Sequence, residues 1–418
     1  MKDDALKRDA AANRQRLRFA LLLGIFSALG PFTIDMYLPS FPEIAEEFGT
    51  QASLVQLSLT ACLLGLAVGQ LVMGTLSDVM GRRKPLLLAM ILYAGASLIC
   101  AFAPSIGFFI AVRFIQGFAA AAGIVISRAI VRDVYSGHEL TKFFSLLMLV
   151  SNLGPLLAPV VGSGVIAFMA WSGVFLFLGL IGLLLVMATA WKLEETLPVE
   201  KRVSSNIREL IGNFKSLMQD RQFAGYALAQ GIMIAGVFAY VSGTPFIYQK
   251  IYGASPQLFA LLFGSNGISL IIGSQVVGRL AHRISERSFL AIGLWLSVAA
   301  SVVVLLVVLL QGPLFALVVP LFFFVASIGM TATASFSLAM ETQSRMAGSA
   351  AALLGLIPFL LGAVTSPLVG IAGEHTAVPL GVIILATSLL SLLAYYGLAK
   401  QPAKRTESHA GTTQFSNR

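Results

Sequence analysis

Long apolar stretches alternate with short polar ones over almost the whole chain. They are too long for strands and too uniformly apolar for the one-sided helices of a soluble core. Twelve stand out, at about residues 18–38, 53–76, 85–103, 106–128, 142–168 and 170–191, then 222–247, 257–280, 288–310, 313–338, 346–371 and 376–399. Each is close to the roughly twenty residues with which a helix crosses the ~30 Å hydrocarbon core of a bilayer. Turn residues separate them: Pro39, Pro42, Pro85, Pro104, Pro256 and Gly312-Pro313. The pattern predicts an all-α membrane protein with twelve transmembrane helices. The polar stretch 192–221 divides them six and six. The expected organisation is a tail over 1–17, a helical half over 18–191, a linker over 192–221, a second half over 222–399 and a tail over 400–418.

Composition agrees. Of 418 residues, 57% are hydrophobic and 11% charged, against roughly 25% charged in soluble domains. Of the 28 Lys and Arg, all but Arg113 and Lys250 read as lying at alternate junctions. The positive-inside rule then puts both termini and the linker in the cytoplasm, as an even number of spans requires. The opposite loops lean acidic, with Glu43, Glu46, Glu47 and Glu374. The net charge of +9 is dispersed over short segments, which does not suggest nucleic-acid binding. The first apolar run lacks a small-residue cleavage site and reads as an uncleaved span.

Several function classes fall away. Cys62 and Cys100 both lie in apolar runs and read as small core residues. There is no metal-ligand spacing, nucleophile motif or nucleotide loop, so neither metal nor cofactor is expected, and a membrane enzyme or sensor is disfavoured. The linker is too short to fold as a catalytic domain. A channel is disfavoured too, because no filter-like re-entrant stretch is present.

Two charges interrupt otherwise uncharged spans: Asp35 and Arg113. An ionised group at bilayer depth costs ~2.5–3.5 kcal/mol or more, and is kept where it pairs, faces water or moves protons or solutes. Asp35 lies about 25 Å along its helix from Arg18, and Arg113 about 10 Å along its own from Ile106, at 1.5 Å per residue. Both therefore sit in the outer half of the bilayer, within about a turn of each other. The expectation is a proton-coupling carboxyl, Asp35, with Arg113 tuning it or meeting substrate. A fixed ion pair between the two helices is the structural alternative. The second half is charge-free over 251–278, 288–340 and 346–373. Substrate contacts there would be Tyr226, Gln230, Tyr240 and Asn266, joined from the first half by Tyr37 and Gln116. Each of these also serves as polar glue between helices. A mostly apolar cavity of this kind suits amphipathic solutes.

Motifs narrow the reading. Residues 74–85, GTLSDVMGRRKP, space Gly74, Asp78, Gly81, Arg82, Arg83 and Lys84 around a tight basic turn. A weak echo, Gly278-x-Leu280 before Arg283, recurs 204 residues on. The segment resembles the cytoplasmic signature loop of the major facilitator superfamily. Arg113-Phe-Ile-Gln116-Gly117 resembles that superfamily's fourth-helix motif, whose Arg is implicated in proton transfer. Asn152, Gly154, Pro155, Pro159 and Gly162 resemble its fifth-helix antiporter motif. PFTIDMYLPSFP (31–42), Ser127 to Asp133 and Ala347 to Leu354 resemble the bicyclomycin-resistance (Bcr/CflA) branch of multidrug:proton antiporters. Ile357-Pro358 departs from that branch, and His282 stands where the second-half signature would carry an Asp.

The resemblance implies two pseudo-symmetric six-helix bundles working by alternating access in the cytoplasmic membrane. It implies a monomer, driven by the proton gradient, that exports drug-like solutes such as bicyclomycin, chloramphenicol-like compounds or sulfonamides. Asp78, Arg82 and Arg132 or Asp133, with Gly74, Gly81 and Arg83, would form a cytoplasmic gate. Metabolite export is the main alternative; proton-coupled uptake is disfavoured by the fifth-helix motif.

Overall fold

The computed structural model describes residues 2–202, 207–343 and 346–399. Side chains are described for all of these except 2–18, 138, 141–142, 144–146, 148–149, 151–152, 201, 207–209 and 347. Every regular element among the described residues is helical. The first half comprises α1 (Lys2–Asp35), the short α2 (Phe41–Glu47), α3 (Ala52–Met80), α4 (Arg83–Ala101), α5 (Ile106–Val134), α6 (Gly137–Ile166) and α7 (Ser172–Lys192). A linker helix, α8 (Ile207–Gln219), leads to α9 (Arg221–Phe246), α10 (Pro256–Leu280), α11 (Glu286–Leu309), α12 (Leu314–Glu341), α13 (Ala347–Leu368) and α14 (Val378–Ala394). Among the described residues eleven segments are long and apolar enough to cross a membrane. The thirty-residue α6 completes the bundle as its twelfth long helix.

Local chemistry sets the helix ends. Ser105, Ser255 and Ser285 accept a backbone N–H from the first turns of α5, α10 and α11, and Asp220 accepts two from α9. These caps satisfy donors that a helix start leaves unpaired. Gly81, between α3 and α4, has φ +88°, a region L side chains rarely adopt.

The two halves repeat one pairing scheme. In the first, α1 packs on α6, α3 on α5 and α4 on α7; in the second, α9 packs on α13, α10 on α12 and α11 on α14. Small residues allow the closest approaches. Gly69 of α3 lies against the Phe118 backbone of α5, and Gly273 of α10, 204 residues on, lies against the Ala326 backbone of α12. In a bilayer, where lipid is as apolar as the helices, such backbone proximity and interhelical polar contacts take over from hydrophobic burial as the packing force.

Between the halves, α3 packs on α13 and α6 on α10. The end of the bundle away from the linker (the far end) is closed. There Gln56 Nε2 donates to the Ser242 carbonyl at 3.1 Å, and Gln249 Nε2 to the Pro39 carbonyl at 3.1 Å. Lys250 pairs with Glu46, and the Phe41 and Phe246 rings meet at 5.9 Å.

Candidate functional site

The signature turn forms a charge cluster at the linker end, inside the first half. Arg82 Nη1 donates to Asp78 Oδ1 at 2.5 Å and to Ser77 Oγ at 2.9 Å, while its Nε donates to Asp133 Oδ2 at 2.8 Å. Burial works against the Arg82 charge, yet the Asp133 and Asp78 carboxylates hold its proton more firmly than usual. Arg83 Nη2 donates to the Ala190 carbonyl at 2.6 Å. Gly74 approaches Val125 of α5. Arg132, expected beside Asp133 in this cluster, is instead exposed and makes no hydrogen bond or ion pair among the described residues. It is one residue, about 100° of helix, away from the side that Asp133 turns to Arg82.

Sequence reading missed the cluster's other acid. Glu195, just past α7, accepts the backbone N–H of Arg82 at 2.7 Å, of Arg83 at 3.2 Å and of Leu197 at 3.0 Å. It thus caps the start of α4, where the helix dipole favours negative charge. Its burial works against ionisation, but these N–H donors and the nearby Arg202 prevail and hold its carboxyl below the ordinary range. A Cβ on Gly81 would collide with this carboxylate. The signal was an acid directly after a span, in a segment otherwise scanned for basic residues. Because the folded-state value is depressed, the stabilisation is present above the unfolded carboxyl range and lost as pH falls through the lowered value. Glu195→Gln should therefore melt earlier than the parent at neutral pH, by about a few tenths of a kcal/mol after solvent screening. The two melting curves should converge in acid.

Arg113 is fully buried within the first half. Its Nη2 donates to the Thr33 carbonyl of α1 at 2.9 Å and its Nη1 to Gln116 Oε1 at 2.5 Å. Gln116 Nε2 in turn donates to Ser97 Oγ of α4 at 2.7 Å. The guanidinium lies 4.2 Å from the Tyr37 ring centre and 5.6 Å from that of Phe175. Tyr37 and Gln116, expected to line a solute cavity, belong to this cage and are inaccessible.

Asp35 ends α1 and is 5% exposed, yet its carboxylate makes no hydrogen bond or ion pair among the described residues. It shares a level with Arg113 but not a direction. Thr33, which receives Arg113, is two residues earlier, about 200° around the helix. Asp35 instead continues the row of Ala28 and Pro31, which meets Gly154 of α6. One residue on, the Met36 carbonyl abuts Gly162. The glycines of the fifth-span motif thus brace α1 on either side of Asp35, with Pro155 and Pro159 inside α6 between them. The Asn152 side chain lies outside the described residues.

The Major Facilitator Superfamily profile matches residues 21–367. The chain belongs to the major facilitator superfamily. It is 52% identical over 390 residues to the uncharacterized MFS-type transporter YdgK of Bacillus subtilis, covering 93% of this chain and 97% of that one. It is 33% identical to a bicyclomycin resistance protein homolog of Haemophilus influenzae, over 92% and 97% of the two chains. Among solved structures it superposes on a bacterial homolog of the human lysosomal transporter Spinster, with TM-score 0.73, 14% identity, and 92% and 96% coverage. The xylose transporter XylE of E. coli gives 0.71, with 14% identity over 90% and 96%. The protein is accordingly a multi-pass membrane transporter of a family that carries small molecules, and not an enzyme.

In this major facilitator fold the second-half polar residues divide into two groups. Tyr240 accepts a hydrogen bond from Asn266 Nδ2 at 2.7 Å and stacks on Phe263 at 5.3 Å. Asn266 Oδ1 is buried without a partner. Tyr240 and Asn266 are buried, and Tyr240 is within electrostatic reach of Asp35 across the halves. Tyr226, in contrast, packs toward Tyr395 (6.4 Å) near the linker end, and a neighbouring glycine, Gly225, abuts Ala399. Gln230 is buried with Oε1 unpartnered.

Proposed function

We propose that this transporter is a proton-coupled antiporter of the bicyclomycin-resistance branch, exporting amphipathic, drug-like solutes, with Asp35 as the coupling carboxyl. One observation carries the reading: a nearly buried carboxylate without a partner among the described residues, within electrostatic reach of Tyr240 on the other half. An unpartnered carboxylate in low dielectric is tolerated chiefly in its neutral form. Sealed in, Asp35 holds a proton; once water reaches it, the proton leaves. Rocking of the halves then exposes the group to one face at a time. Tyr240 and Asn266 supply the solute's polar contacts in an otherwise apolar gap. The basic junctions set the linker and termini in the cytoplasm, so the sealed far end is the external mouth. The relatives named for bicyclomycin, chloramphenicol and multidrug resistance support the drug reading.

Everted vesicles with an acid interior test it. Adding a transported solute should release protons, and a panel of antibiotics, amino acids and nucleosides identifies the class. If no member of the panel moves protons, the antiport reading fails.

The far-end contacts set a second expectation. Lys250→Glu replaces attraction to Glu46 by repulsion, which favours the state open at that end. Spin labels at Gln51 and Gln257, exposed on opposite halves there, should show the population at longer separations rise several-fold. An unchanged distance distribution would mean that the ion pair does not hold the far end shut.

A further inference from the structure

Arg128 is absorbed by none of the contacts above. From sequence it reads as a junction residue; the structure places it inside α5, six residues and so about 9 Å before the helix ends at Val134. Its direction follows from its neighbours one turn back. Ile124 packs on Gly30 of α1, and Val125 meets Gly74 of α3. Residues three and four apart share a helix face, so Arg128 stands between α1 and α3, and α3 packs on α13 of the other half. It is partly buried, its Nε is buried without a partner, and it makes no ion pair among the described residues. Among the described residues the charge that acts on it is another cation, Arg132, one turn on. Asp133 is five residues away, about 140° around α5, and is already held by Arg82 and Thr196. Asp78 is likewise taken by Arg82.

A guanidinium withdrawn from bulk water is costly when no acid stands opposite it, and none does among the described residues. Its planar donors match a carboxylate or sulfonate oxygen pair. We propose that Arg128 is a binding position for the anionic group of an amphipathic solute entering the space between the halves from the linker end. The proposal rests on the export reading only for which solutes pass; the anion site is defined by α5 itself. It also separates two kinds of solute. Neutral ones use the apolar gap and the Tyr240–Asn266 pair, and acidic ones gain a charge-assisted bond on entry.

The test compares 4-propylbenzoate with its neutral analogue 4-propylbenzamide. Binding to the full chain is measured by calorimetry in nanodiscs of phosphatidylcholine, which bears no net charge. The acid should bind at least about tenfold more tightly, the scale of one charge-assisted hydrogen bond. Arg128→Gln should erase the preference, and Arg128→Lys should restore part of it. Equal affinities in the parent protein, or a preference that survives in Arg128→Gln, overturn the proposal. The parent comparison and the Lys variant decide even if the Gln variant does not fold. If phosphatidylglycerol added to the discs abolishes acid binding, the position belongs to a lipid headgroup and the proposal fails. Proton release by neutral solutes in everted vesicles tests the export reading separately, so either idea can fall without the other.

Discussion

Asp35→Asn is expected to reduce substrate-induced proton release to the level of empty vesicles while leaving a folded protein in the membrane. The substitution is nearly isosteric and removes only the titrating group. Because the Asp35 carboxylate has no hydrogen bond or ion pair among the described residues, no native partner is orphaned by the change. Helix α1 also keeps its bracing, since Gly154 and Gly162 meet the Pro31 side chain and the Met36 carbonyl rather than Asp35 itself. Loss of activity would therefore report chemistry rather than collapse. Asp35→Glu retains a proton-binding group on a longer stem and should keep partial coupling. Full proton-coupled transport by Asp35→Asn, with a melting curve like the parent's, would remove Asp35 from the coupling path.

Arg113→Lys should have the largest effect on stability. The guanidinium joins three helices at once: it donates to the Thr33 carbonyl of α1 and to Gln116 on its own α5, and Gln116 reaches Ser97 of α4. It also lies over the Tyr37 ring. A lysine ammonium cannot reproduce the planar fork and stacks less well. The lost bonds and ring contact amount to about 2–4 kcal/mol in a dry site, visible as a lowered melting temperature in detergent. Transport should slow because Thr33 is two residues from Asp35, so α1 loses its clamp next to the coupling group. The pH midpoint of transport should stay where it is, since Arg113 faces away from Asp35. A midpoint moved by a whole unit with stability intact would return Arg113 to the proton path itself.

Much of this was legible in the chain. The rise of 1.5 Å per residue placed Asp35 and Arg113 at one level from their distance to the helix ends, and the structure keeps them there. The spacing of Gly74, Asp78, Gly81 and Arg82 marked a tight basic turn, and Arg82 does bond Asp78 four residues earlier. Local patterns succeed at such short range because the contacting groups share one turn of backbone. Glu195, whose Arg82 and Arg83 partners lie more than a hundred residues earlier, leaves no comparable local mark.

The all-helical membrane architecture and the length of most spans were legible in the sequence alone, because helix length and rise in a bilayer leave little choice. The rotation of each helix about its axis was decided only by tertiary packing. A span whose lipid face and core face are both apolar carries almost no periodic signal for which side turns inward. That is why Arg113 met the α1 backbone instead of Asp35. It is also why Tyr37 and Gln116 closed around Arg113 rather than lining the central gap, and why Arg128 proved to look between α1 and α3. Backbone approach at Gly65, Gly117, Gly123 and Gly162 holds those rotations, since a glycine face lets a neighbouring helix come that close.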